Sequence, residues 1–171
     1  MVWKRIMEGH ERPFHIIQPG IGERTVEHMV RKAKSLGDVI IIDQLTFVEP
    51  NPIHVRLPRY QQIGNSLHEL KSLISTGKRI PAFLIHQMSR EGQKAAQKLG
   101  RLEMWHFAEA AEGERTADWA GGMVATESMQ DANRVYLQGR AARRQRLQSW
   151  QLVWRPWRGE TTVMHSVRLG D

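Results

Sequence analysis

Four β-branched residues in succession, Val39 to Ile42, stand between Asp38 and Asp43. Such side chains crowd a helix but fit a pleated strand, and a run with no polar alternate has no face to offer water. DVIIID therefore predicts a strand buried on both faces, the pattern of a parallel sheet covered by helices. Parallel strands need crossover connections, so helical segments should flank the run. Upstream, Val26, Met29, Val30 and Ala33 recur at helical spacing, with Thr25 placed to cap and Gly37 to stop. Downstream, Ile63, Leu67, Leu70 and Ile74 fall on one face of a helix running from Arg59 to about Thr76 and ended by Gly77. FHIIQ (Phe14 to Gln18) and PAFLIH (Pro81 to His86) predict neighbouring strands. The first half thus alternates strand and helix, which argues for an α/β layered sheet.

Between the flanked strand and the second helix, EPNPIHVRLP (Glu49 to Pro58) holds three prolines and must be a loop. After PAFLIH comes the polar, basic segment QMSREGQKAAQKLGR. Met104 to Ala111 and Thr116 to Ala120 read as short helices, Gly122 to Thr126 and Arg134 to Gln138 as strands. Gln148 to Trp154 and Thr161 to Val167 read as an antiparallel pair around RPWRGE. Trp150, Leu152 and Trp154 share one face of that pair, which suits hairpin packing better than a platform for nucleic-acid bases. Tyr136 reads as core, and His86 as a hydrogen-bonded strand-end histidine.

At 171 residues the chain is one domain's worth, residues 1–171, with 1–13 as an N-terminal extension. No run approaches the roughly 18 apolar residues of a membrane span, and MVWKRIMEGHERPF lacks the centre of a signal peptide, so a cytoplasmic protein is expected. Cysteine is absent, which removes disulfide frameworks and thiolate metal sites. The eight histidines show no H-E-x-x-H or H-x3-H spacing, so zinc is poorly supported as well. A formal charge of +7 makes polyanions the default partner.

In open α/β sheets, ligands gather at the carboxyl ends of parallel strands. Three predicted strand ends carry polar groups: Asp43-Gln44, His86-Gln87 and Gln138-Gly139-Arg140. An apolar strand tipped by a carboxylate is what a Walker B element needs to hold a magnesium shell, although an aspartate there also serves as a plain loop or helix cap. The matching loop, G-x-x-x-x-G-K-[ST], is not supplied by QPGIGERT. Gly20 and Gly22 are too close together, and Glu23 after them would repel phosphate. A dinucleotide fingerprint fails too, because the third glycine position is Thr25.

DVIIIDQLTFV, a proline-containing loop and then HELKSLISTGKRIPAFLIHQMSREG resemble the C-terminal ATPase domain of the replicative DNA helicases, the DnaB-like branch of the RecA-type motors. The family's acid-tipped strand, Leu-Lys helix, Pro-apolar strand ending in Gln and following basic residue correspond to Asp43, Leu70-Lys71, Pro81 to Ile85, Gln87 and Arg90. GERTADWAGGMVAT and RVYLQGRAARR are similar to the next helix and strand and to the strand that carries a basic finger. The resemblance runs from Pro13 over most of the chain.

It implies an α/β fold: a partial RecA-like P-loop NTPase core, with a mostly parallel sheet flanked by helices and a C-terminal antiparallel hairpin. It implies Asp43 as the Walker B acid, binding magnesium through water beside Gln44, and Gln87 as the sensor of the γ-phosphate. Arg140 matches the first basic finger position, while the second falls on Ala142 or, shifted by one, Arg143. The loops Glu49 to Pro58 and Ser89 to Arg101 correspond to central-channel loops, where Arg56, Arg59, Arg90, Lys94 and Lys98 would meet single-stranded DNA.

The family's phosphate loop and catalytic glutamate lie upstream of the strand that FHIIQ resembles. The chain as it stands therefore corresponds to the second half of a motor. ATP and magnesium are expected only if the phosphate-loop half is supplied, in a homo-oligomeric ring or by a second chain. The expected function is part of an ATP-driven motor translocating on single-stranded DNA in a bacterial or phage-infected cell, inactive as an ATPase alone. The alternative is a non-catalytic nucleic-acid-binding or helicase-regulating module.

Overall fold

The structure, a computed structural model, describes residues 15–102, 115–143, 147–155, 158 and 160–167. Contacts group them into two compact units that divide between His86 and Gln87.

The first unit is built from helix α1 (Val26–Leu36), strand β1 (Ile40–Asp43), helix α2 (Arg59–Ser75) and strand β2 (Ala82–Ile85). Thr25 caps α1, its hydroxyl accepting the His28 N–H at 3.4 Å. The carboxyl end of α1 is tied to that of α2 by lysines, which suit the partial negative charge of exposed helix carbonyls. Lys34 donates to the carbonyls of Leu73 and Thr76, and Lys78 donates to the Gly37 carbonyl at 2.9 Å. Strands β1 and β2 pair in parallel, with Ile41 opposite Phe83 and Asp43 opposite Ile85. The apolar stripes of the two helices, Val26 and Val30 with Ile63, Leu67 and Leu70, bury Ile40 and Ile42 in one core.

The other face of this sheet is open, contrary to the expectation of a strand buried on both sides. Ile41 is 58% exposed and Phe83 61%. A β-branched run sets the strand, but the burial of its second face depends on a covering layer that neither α1 nor α2 provides. A second correction concerns FHIIQ: residues 15–18 form no strand, and Ile16 is exposed. No described strand lies alongside to pair with their backbone.

The second unit contains helix α3 (Arg90–Leu99), strand β3 (Trp119–Val124), the short helix α4 (Glu127–Asp131) and strands β4 (Arg134–Ala142), β5 (Ser149–Arg155) and β6 (Glu160–Val167). The strands form one antiparallel sheet in the order β3-β4-β5-β6, so the expected C-terminal hairpin is present as the β5–β6 half of a larger sheet. The helix expected over Thr116 to Ala120 gives way to strand at its end. Trp119 pairs with Ala142, and its ring lies 6.2 Å from that of Trp150, a contact remote in sequence that outweighs local propensity. Trp150 is half-buried and Leu152 buried, as hairpin packing requires, whereas Trp154 at the end of the same face is exposed. Tyr136 is half-buried. The helix expected over Met104 to Ala111 lies outside the described residues.

Leu102, with no exposed surface, has its backbone held by a side chain of the sheet. The buried Gln138 carboxamide accepts the Leu102 N–H at 2.7 Å and faces its carbonyl at 3.5 Å. Gln138→Leu keeps the volume but strands both backbone groups away from water. It is expected to lower stability by about 1–3 kcal/mol in urea denaturation.

Candidate functional site

Asp43 ends β1 with its side chain exposed, at the carboxyl edge of a parallel pair. The chain then passes through a cis peptide to Gln44 and into a single 3-10 turn, Leu45–Phe47, pinned by the buried Leu45. The Gln44 Oε1 is buried and receives no hydrogen bond among the described residues. A buried acceptor without a donor is costly unless something else donates to it. Next to a carboxylate, that pairing suits a hydrated divalent cation, whose waters donate to both oxygens. No group of three or more His, Asp or Glu among the described residues is placed to grip a metal directly. The residues present therefore fit magnesium held through water, with Asp43 supplying the charge.

They do not supply a phosphate cradle. In the loop before α1 the N–H of Gly20 donates to the Glu23 carboxylate at 3.1 Å, and that of Gly22 to the Glu49 carboxylate at 3.1 Å. Glu49 is itself fixed there, its N–H donating to the Arg24 carbonyl at 3.0 Å. Amides that would face an anion in a phosphate loop are thus met by the chain's own acids. Gly22, at φ 82°, serves the turn into α1.

The loop between β1 and α2 is held from the first turns of the helix. Gln62 donates to the carbonyls of Val55 and Leu57 at 3.0 and 2.8 Å, and Arg59 donates to the Thr46 carbonyl at 2.8 Å and the Gln62 side chain at 3.3 Å. Asn51 caps a 3-10 turn at Pro52–His54. Arg56 projects from this frame and is exposed, while the Arg59 guanidinium is engaged in fastening it.

Strand β2 ends at Ile85, the register partner of Asp43, followed by the half-buried His86 and the exposed Gln87. The segment Ser89 to Arg101, expected as a loop, is mostly the helix α3. Its ends carry the reasons: the Ser89 hydroxyl accepts the Gly92 N–H at 3.0 Å, and Gly100 closes it in the left-handed conformation. The four-residue spacing of Arg90, Lys94 and Lys98 then puts all three on one exposed helical face. Arg140 is half-buried within β4, and Arg143 is exposed just past its end, with its backbone N–H on the Asp118 carbonyl at 2.8 Å.

The second unit also holds a feature that no sequence motif announces. An open pocket of about 420 Å³ lies among Met88, Gln93, Gln97, Met123, Arg134 and Trp154. Trp154 is the one available signal, and its alternation with Leu152 points to packing instead.

No protein-family model matches the chain, and no curated protein is similar to it. Solved structures are. One, the ATPase domain of a DnaB-like replicative helicase, superposes with a TM-score of 0.70 at 19% identity over 82% of this chain and 52% of that one. Another DnaB-like replicative helicase, solved with regard to its interactions with primase, superposes with a TM-score of 0.62 at 20% identity over 75% of this chain. The chain spans about half the length of the first and 32% of the second. The mixed fold, with its parallel and antiparallel sheets, is that of the RecA-type ATPase domain of DnaB-like replicative helicases.

Proposed function

We propose that the chain is part of a replicative-helicase-type motor that moves on single-stranded DNA and is inactive as an ATPase by itself. The observation that carries this is the strand-tip pair, the exposed Asp43 carboxylate beside the unsatisfied Gln44 oxygen, on a helicase ATPase fold. In this reading Asp43 and Gln44 hold the water shell of magnesium, which supplies charge neutralisation to the phosphates of ATP. Gln87 follows the strand end as sensor. Arg140, with Arg143 as the alternative finger, reaches a nucleotide in a neighbouring subunit of a ring or in a second chain. Arg56, Arg59, Arg90, Lys94 and Lys98 supply positive charge for DNA. Such a protein works in the cytoplasm of a bacterial or phage-infected cell.

The second reading is a nucleic-acid-binding or helicase-regulating module without catalysis. Its support is the glycine loop whose amides are taken by Glu23 and Glu49, in a sequence that contains no G-x-x-x-x-G-K segment. The two readings part on assembly, since only the motor needs a neighbour for Arg140, and sedimentation of the chain in the presence of DNA separates them.

The nucleotide site is tested by calorimetric titration of ATP–magnesium into the chain alone. No binding is expected. Micromolar binding that disappears in Asp43→Ala would establish a complete site and overturn the part-motor reading. A chain that ignores both nucleotide and single-stranded DNA overturns both readings.

A further inference from the structure

The frame between β1 and α2 presents carbon as well as charge. Phe47 is 61% exposed and Tyr60 58%, and Ile53 and Val55 are exposed between them. Burying none of these costs a folding chain apolar area, yet the frame that displays them is tightly fastened. The Arg59 hydrogen bond to the Thr46 carbonyl draws the residues before Phe47 and Tyr60 together, so both rings are displayed at the same end of α2. Gln61 donates to the Tyr60 hydroxyl at 2.9 Å, which sets the ring's outer edge. Gln62, through the Val55 and Leu57 carbonyls, holds the turn that carries Arg56.

The charge around the rings is one-sided. Between Asp43 and Glu69 the only acid is Glu49, and its carboxylate is turned to the Gly22 amide. Arg56 forms no ion pair or hydrogen bond among the described residues. Flat rings, an unengaged guanidinium and no competing carboxylate, all on a preorganised frame, match a chain of stacked bases with a phosphate backbone.

We propose that Phe47 and Tyr60 form a stacking platform for the bases of a single-stranded nucleic acid, with Arg56 meeting its phosphates. This rests on the reading that the protein acts on single-stranded DNA, and it assigns the sequence-independent part of that binding to two aromatic residues. Stacking tolerates every base, because each has a π face, as a translocating protein requires.

The experiment is fluorescence anisotropy with a labelled oligodeoxythymidine of about 20 nucleotides, repeated over a salt series. Phe47→Ala and Tyr60→Ala should each weaken binding about tenfold at fixed salt while leaving the salt slope unchanged. Phe47→Trp and Tyr60→Trp should restore affinity, and the leucine variants should not. Arg56→Ala should instead flatten the slope. Both rings are largely exposed, so unchanged circular dichroism is expected throughout. A salt-dependent wild type whose alanine variants bind equally well overturns the platform alone. A wild type that does not bind overturns the platform together with the DNA reading. Alanine variants that keep DNA affinity but break up an oligomer in sedimentation identify the surface as a protein interface and overturn the platform.

Discussion

Raising the salt concentration from about 50 to about 200 mM is expected to weaken binding of the chain to single-stranded DNA by about a hundredfold. Each cation placed on a phosphate of a single strand releases counterions and contributes about 0.7 to the slope of log affinity against log salt. Five such contacts, from Arg56, Arg59, Arg90, Lys94 and Lys98, give a slope near −3.5, and a fourfold change in salt then yields the hundredfold loss. The geometry refines the expectation residue by residue. Removing Arg90, Lys94 or Lys98, aligned on one exposed face of α3, should each reduce the slope by about 0.7 and leave stability unchanged. Arg59→Ala should act differently, since the lost hydrogen bond to the Thr46 carbonyl loosens the loop as well. Affinity that stays constant across the salt series would remove all five from the interface.

Gly139→Ala is expected to be the most damaging single-methyl change in the second unit. Gly139 lies within β4 opposite Gly121, and its N–H donates to the buried Ser149 hydroxyl at 3.2 Å. A methyl group built on it overlaps the carbonyl oxygen of Gln148, and one on Gly121 overlaps that of Gln138. Both obstacles are backbone, so no rotamer change relieves them and the strands must separate locally. The cost should reach about 3 kcal/mol, at the upper end for overpacking, which lowers the melting temperature by about 6–12 °C in a chain of this length. Gly37→Ala provides the comparison. A methyl there meets nothing closer than the Val39 carbonyl at 3.9 Å, and the melting temperature should stay within a degree or two of wild type, roughly the effect of a neutral surface change.

Much of the first unit is legible in the sequence because its signals are local. Thr25 caps α1 as its position predicts, Gly37 stops the helix, and the Ile63, Leu67 and Leu70 stripe faces the core. The family resemblance also points to the RecA-type fold. What escapes the sequence depends on partners distant along the chain. The open face of β1 reflects a missing cover layer, which a run of β-branched residues cannot encode. Trp119 joins a strand because Ala142 and Trp150 await it there. In the α3 segment, by contrast, the helix is readable from Ser89, the two alanines and Gly100, and the resemblance to a channel loop overrides those local signs. At the candidate site, Asp43 is marked by its place after an apolar run, but the unsatisfied oxygen of Gln44 is a property of packing alone. Attention to charge likewise picks out Arg56 and passes over Phe47 and Tyr60.

The uncovered side of the β1–β2 pair has a consequence for the protein's life in solution. Ile41 and Phe83 stand side by side on a parallel ladder that has only two described strands, fewer than such sheets normally need to persist in water. Apolar rows on a short sheet are the places where chains stick to their own kind during synthesis and storage. The same two residues that help specify the fold thus set the concentration at which it can be kept without clumping, and a lysine at either position should raise that ceiling while leaving the core beneath β1 intact.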